Sequence, residues 1–382
     1  MTSPYDIAAY YWPAYHDEPR WRRFMPDGEG EWETIKKSKP KFPGHDQPRV
    51  PQWGYLDESD PAVMEGKIDA AADHGVNTFI FDWYWFERQP FLEQTLNEGF
   101  LKARNNGRVK FFLMWANHDA TSGWDLTCSD ENRLVWPGAV DRETFDVVAD
   151  RVIARYFTQP NYYRIDGKPV FSIYDLTNLI NGLGGIAATR EALDAFREKV
   201  VAAGFPGLHL QAILWGVIPK SVSLVPGDKT QTQDNTVRAL GFDSLTNYQW
   251  CHYVAPKGPY EAWAAKAIPA WEKWTQEFSV PFYPHVSIGW DTNPRFKRLC
   301  DLVVESSPAR FGAALRQAMA FVEAHDLKPR LITLNDWNEW SECSYMEPDV
   351  VHGMGYLEAV REALQAGPAT EPLSSAYESP TK

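Results

Sequence analysis

Eight short apolar runs, each separated from the next by a stretch with helical spacing, set the limits on how this chain can fold. The runs cover about residues 6–12, 78–85, 109–119, 169–175, 209–215, 242–248, 281–291 and 330–335. Most are continuous rather than alternating, as in strands of a parallel sheet covered by helices on its outer face. Helices are predicted between and after them, over about 61–74, 91–105, 141–157, 188–203, 233–240, 258–278, 307–326 and 355–365. Asp60 and Pro61 read as the cap and first turn of the first helix and Gly75 as its stop, while Pro269 kinks the sixth. Eight such units imply an α/β fold, a (β/α)8 TIM barrel. The expectation is one domain over 1–366 with long βα loops, among them about 13–58, and a mobile tail over 367–382. No GxGxxG follows the first run, which disfavours a dinucleotide-binding fold.

In such a barrel the active site lies at the carboxyl ends of the strands. Those ends carry Tyr10, Tyr11 and Trp12; Asp82, Trp83 and Trp85; Trp115, Asn117, His118 and Asp119; Tyr174 and Asp175; Trp215; Tyr248; and Trp290, Asp291 and Arg295. The opposite ends are plain: Gly75-Val76, Asn106-Gly107, Asp166-Gly167. The chain holds 17 Trp, 17 Tyr and 20 Phe, and Trp is not what a core is chiefly made of. Flat rings beside carboxylates and amides suit a sugar, which offers both apolar C–H faces and hydroxyls. Plainer readings stand beside this one. Asp82, Asp119 and Asp175 serve equally as caps or arginine partners. His118 next to Asp119 favours a hydrogen-bonded histidine over a metal ligand pair, because neighbours on a strand diverge. His16, His45 and His285 are weaker candidates, and Trp263 and Trp274 fall on a helix as core residues.

The last run, Leu331–Leu334, breaks into a polar, aromatic stretch that holds Glu339 and Glu342 three residues apart, flanked by Trp337, Asn338 and Trp340, with Glu347 five further on. Glycoside hydrolysis needs one carboxyl group to protonate the leaving oxygen and an ionised one to assist at the anomeric carbon. Neighbouring rings desolvate a carboxyl and raise its pKa. The alternative is an acidic surface loop whose tryptophans are core.

Composition excludes several other classes. Net charge is -13 with no basic run, which argues against a nucleic-acid partner. No apolar stretch of about 18 residues predicts a membrane span. Cys128, Cys251, Cys300 and Cys343 are scattered without a CxxC, so neither a zinc site nor a disulfide framework is expected, and no metal or cofactor. The start, Met1 to Asp6, lacks the charged and apolar regions of a secretory signal. A cytoplasmic protein is expected, or a secreted one had a leader been removed.

The block Asn338-Glu339-Trp340-Ser341-Glu342 with Glu347 resembles the N-E-W-x-E-(G)-x-x-x-E signature of family 99 glycoside hydrolases, the endo-acting α-mannosidases and mannanases. The fuller pattern is more similar still to the WbsX group found in bacterial polysaccharide gene clusters. It includes Ala9–Trp12, Gln52–Tyr55, Gly75–Trp85, Gly289–Arg295 and Glu347–Asp349, and spans about residues 6–365. The resemblance implies a (β/α)8 barrel and retaining hydrolysis of an α-linked sugar, commonly mannose, in a microbial poly- or oligosaccharide. It makes Glu339 the base on the sugar 2-hydroxyl, whose oxygen attacks the anomeric carbon, and Glu342 the acid and then base. It makes Asn338, Tyr248 and Tyr11 sugar contacts. A raised pKa suits Glu342, and a hydrated Glu339 stays ionised. Cys343 stands where the family usually has Gly, and a turn there at positive φ is costly for Cys. A glycosyltransferase of surface-polysaccharide assembly and a non-catalytic carbohydrate-binding barrel are the other readings.

Overall fold

The structure, a computed structural model, describes residues 3–23, 30–124 and 132–372. Eight strands form the barrel: β1 Asp6–Tyr11, β2 Thr78–Phe86, β3 Lys110–Trp115, β4 Lys168–Ile173, β5 His209–Ile213, β6 Ser244–Thr246, β7 His285–Ser287 and β8 Leu331–Asn335. They pair in parallel in the order β6-β5-β4-β3-β2-β1-β8-β7. Phe282, just before β7, bridges in parallel to Leu245 of β6 and closes the ring.

Around the ring lie α1 Glu31–Lys37, α2 Pro61–His74, α3 Arg142–Val152, α4 Leu176–Leu183, α5 Ile186–Ala202, α6 Gln233–Leu240, α7 Tyr260–Ala267, α8 Ala270–Glu277, α9 Pro308–Ala324 and α10 Gly355–Ala366. The Asp60 carboxylate accepts the Ala62 N–H, and Gly75 ends α2 in the left-handed region, as the sequence predicts. Pro269 breaks the expected long helix into α7 and α8, since it has no N–H to donate. Helix α4 escaped the sequence reading. It is only eight residues long, and its cap, Asp175, is also a strand-end residue.

The helix expected over 91–105 shrinks to wide turns at Thr95–Phe100. Gly99 lies against the Glu58 backbone, where an added Cβ would stand 2.0 Å from the carbonyl oxygen and 2.8 Å from Met64 Cγ. Gly99→Ala is therefore expected to destabilise the fold by roughly 1–3 kcal/mol. A urea midpoint equal to that of the wild type would contradict this packing.

Register sets Tyr10 beside Ile80 and Ile80 beside Phe112 on the inward face, and Met114 beside Ser172 one step up the barrel. Its interior is largely polar and self-satisfied. Ser172 donates to Gln211 Oε1 at 2.7 Å, Thr246 and Thr333 hydroxyls meet at 3.0 Å, and His285 Nδ1 lies 3.0 Å from Thr333. The start of the expected tail is tied down, with Arg316 Nε donating to Gly367 O and Gln317 Nε2 to Glu371 O. Residues 373–382 of that tail, and Cys128, lie outside the described residues. No helix among the described residues is long and apolar enough to cross a membrane.

Candidate active site

The carboxyl ends of the strands open into a cavity of about 340 Å³, at the small end of ligand sites. Strand alternation decides which residues reach it. On β2, Asp82 and Tyr84 line it, while Trp83 and Trp85 turn outward, stacked at 5.7 Å, with Trp83 Nε1 donating to Glu93. After β1, Trp12 lines it. Tyr11 faces out against Phe79 and Phe81, and Tyr10 points in but lies below the floor, its hydroxyl on Asn247 O. From β3, Met114, Ala116 and His118 line it. Trp115 packs outward on Phe145, and Asn117 holds the Asp175 backbone at both N–H and C=O. Tyr174, Asp175, Trp215, Tyr248, Trp290 and Arg295 also line the cavity, as expected.

Asp175 fits its plainer reading too, since it caps α4 through the Asn178 N–H at 2.9 Å. Asp119 accepts from Gly138 N at 2.8 Å and Asn178 Nδ2 at 3.2 Å. His118 Nδ1 meets the Asp119 carbonyl at 2.9 Å, and burial lowers its pKa. His16, His45 and His285 are not in the wall; His45 pairs with Asp291 at 2.8 Å.

Glu339 and Glu342 both reach the cavity and share one cation. Arg295 Nη2 donates to Glu339 Oε1 and Nη1 to Glu342 Oε1, each at 2.7 Å, while Nε donates to Ser341 Oγ at 2.8 Å. A third carboxylate, Glu31 of α1, accepts from Arg295 at 3.3 Å and also from Ser341 and the Trp12 indole. The bidentate fork suits a guanidinium and not an ammonium. Burial raises the Glu342 pKa against the pull of Arg295, and its Oε2 has no partner. Glu339 corrects the sequence expectation of a hydrated, ionised base. It is buried, and desolvation with Glu342 nearby holds its pKa well above the usual range. Cys343 does take the left-handed turn, at φ 52°, with Gln47 Nε2 at 3.0 Å from its Sγ.

Oxygens of Asp82, Asp336 and Glu339 lie within 4.8 Å of one another. Tyr248 donates to Asp82 Oδ2 at 2.8 Å and Asn338 N to Asp336 Oδ1 at 3.0 Å, while Asp82 Oδ1 and Asp336 Oδ2 have no partner. Hard oxygen ligands of this kind suit Ca²⁺, Mg²⁺ or protons. Burial, then its neighbour Asp82, pushes the Asp336 pKa well up. An Asp in the unfolded chain titrates near about 3.9. Above that pH the fold holds a proton the unfolded chain has released, so stability falls as pH rises. Asp336→Asn is expected to flatten that fall and raise the Tm at pH 8 by roughly 2 °C or more. An unchanged Tm at pH 8 would count against a strained carboxyl cluster.

Four expected site residues stand behind the wall instead. Asp291 is held by His45 and Gln47, each at 2.8 Å. Asn338 clamps the Trp12 backbone at N–H and C=O. Trp340 stacks on Tyr345 at 3.7 Å, and Glu347 accepts from the Trp337 and Trp340 indoles. Tyr84, Met114, Trp124, Asn178 and His252 line the cavity unforeseen. Tyr84 shares the phase of Asp82, so alternation alone points to it. Nothing local marks Glu31.

Among solved structures, the "GH99 endo-alpha-mannosidase from Bacteroides thetaiotaomicron" superposes with a TM-score of 0.59 at 16% identity, over 96% of this chain and 98% of that one. A "Glycoside hydrolase-like protein" gives 0.60 at 15%, over 94% of each. At such identities the likeness is one of fold. The "Uncharacterized protein WxcX" of Xanthomonas campestris pv. campestris (strain B100) is 26% identical over 391 residues, covering 97% of this chain and 51% of the relative. The chain thus spans about half the length of the curated relatives it matches. Residues 7–360, from β1 into α10, match the family described as "Glycosyltransferase WbsX", and the chain belongs to this carbohydrate-acting family.

Proposed function

We propose that this chain cleaves an α-linked glycosidic bond with retention, in a microbial poly- or oligosaccharide. Glu342 protonates the leaving oxygen, and Glu339 takes the proton of the adjacent sugar hydroxyl as that oxygen attacks the anomeric carbon. The observation that carries this is the pair of carboxyls on one guanidinium, at a wall shared with Trp12, Trp215 and Trp290. Three carboxylates surround Arg295, and burial with their mutual repulsion raises the Glu339 and Glu342 pKa values. The two glutamates titrate as a unit, and without substrate burial and its neighbour Glu342 raise the Glu339 pKa more strongly, so the reading needs the bound sugar to move the proton to Glu342. A sugar hydroxyl donating to Glu339 favours its ionised form.

Transfer is the second reading, favoured by the family's description as glycosyltransferases. A sugar hydroxyl in place of water would then open the intermediate. A nucleotide-sugar donor fits the cavity poorly. Arg295 is the one Lys or Arg among the described lining residues, and it is already bonded to Glu339 and Glu342, so the wall offers a diphosphate no uncommitted cation of that kind.

Incubation with a panel of α-linked microbial glycans, read by NMR for the anomer first released, tests the proposal. Retained product without any nucleotide supports it. Product formed only from nucleotide sugars would overturn it in favour of transfer. Sugar binding without product, surviving loss of both glutamates, would leave a carbohydrate-binding barrel.

A further inference from the structure

Trp337, Asn338, Trp340 and Glu347 stand out in the sequence, yet none of them touches the cavity. They converge instead, through the Glu58 and Glu347 carboxylates, on a lysine on the far side of the wall. Lys67 of α2 is 1% exposed and donates to both Glu58 and Glu347, which are 0% and 3% exposed. We infer that Lys67, Glu58 and Glu347 form a positioning cluster that fixes the peptide bearing Glu339 and so sets where that carboxyl stands; this rests on the glycosidase reading above.

The bonds leave little freedom. Glu347 Oε1 accepts the Trp337 indole N–H at 2.9 Å, and Oε2 accepts that of Trp340 at 2.8 Å. Glu58 accepts Asn338 Nδ2 at 2.9 and 3.2 Å. The same Asn338 side chain holds Trp12 N and O, each at 2.8 Å, tying the β1 end to the β8 end. Residues on both sides of Glu339 are thus anchored to one ammonium, and Glu339 is left to turn into the cavity toward Arg295. Apolar residues at all three positions would avoid the cost of burying three ionisable groups. What the charge supplies is direction, because each carboxylate oxygen is held by the cation or by an indole or amide donor. Desolvation, with Lys67 opposing it and Glu347 adding to it, pushes the Glu58 pKa up to about 7.

The test needs no substrate. The Glu339 carboxyl, assigned by its loss in Glu339→Gln, is followed by ¹³C NMR across pH in wild type, Lys67→Met, Glu347→Gln and Leu193→Ala. Leu193 is a fully buried residue of α5 and serves as a control for lost stability alone. Lys67→Met strands two buried carboxylates and risks unfolding, so Glu347→Gln, which keeps size and one acceptor, is the decisive variant. A displaced Glu339 changes its distance to Arg295 and Glu342. Its titration midpoint is expected to move by at least about half a pH unit in Glu347→Gln and to stay put in Leu193→Ala. On any glycan the wild type turns over, kcat is expected to fall about 10–100-fold with KM within roughly twofold, as for a misplaced catalytic group. An unmoved midpoint in folded Glu347→Gln, or an equal shift in Leu193→Ala, overturns the inference. Failure of every glycan to react would sink the glycosidase reading and leave the titration result to judge this one.

Discussion

Glu342→Gln and Glu339→Gln are each expected to lower kcat/KM by about 10²–10⁴-fold while leaving the Tm unchanged or higher. Gln keeps the shape and one acceptor oxygen for Arg295, so the fork that holds both side chains survives in part. It removes the proton donor in one case and the base in the other. Glu342 lines the cavity and bonds Arg295 through Oε1, which leaves its second oxygen, Oε2, without a partner. A leaving group that needs no protonation, such as a glycosyl fluoride, should rescue Glu342→Gln far better than Glu339→Gln. Turnover near wild type in both variants would remove these carboxyls from the chemistry. The Tm carries its own information. Both carboxyls sit in a buried, net negative group, so neutralising one relieves repulsion.

Arg295→Ala is expected to be nearly as damaging, with kcat/KM lower by about 10²-fold or more. The guanidinium donates to Glu339, Glu342, Glu31 and Ser341, and nothing else among the described residues bonds both glutamates. It also opposes the rise of both glutamate pKa values. Without it both groups hold their protons to higher pH. The acid limb of the pH–rate profile, where the base must be ionised, should therefore move up, and the alkaline limb with it. Arg295→Lys should restore only part of the rate, because one ammonium nitrogen cannot replace the three guanidinium nitrogens that reach Ser341, Glu342 and Glu339 separately. An unchanged acid limb in Arg295→Ala would show that the clamp does not tune the pair.

The eight-unit barrel was legible because its signal is local. Continuous apolar runs, the Asp60 cap, Pro61 at the first turn and the Gly75 stop are each read within a few residues of themselves. Local signals failed where distant parts meet. The helix expected over 91–105 is cut short where Gly99 abuts the Glu58 carbonyl, about forty positions away in sequence. The site was half legible for a similar reason. Strand ends were rightly picked out as aromatic, yet Trp83, Trp85, Trp115 and Tyr11 face outward, and Tyr84 and Met114 take the inward places.

By itself, then, the sequence determined the order and number of the strands and the stretch that brings Glu339 and Glu342 to the last strand end. Hydrophobic spacing and turn residues act over short range and need no knowledge of the whole. Only the tertiary structure decided what surrounds those two carboxyls: Glu31 of α1, some 300 residues earlier, Arg295 between them, and Lys67 behind the wall. Charge and burial depend on neighbours brought together by the closing of the ring, and no pattern along the chain records them.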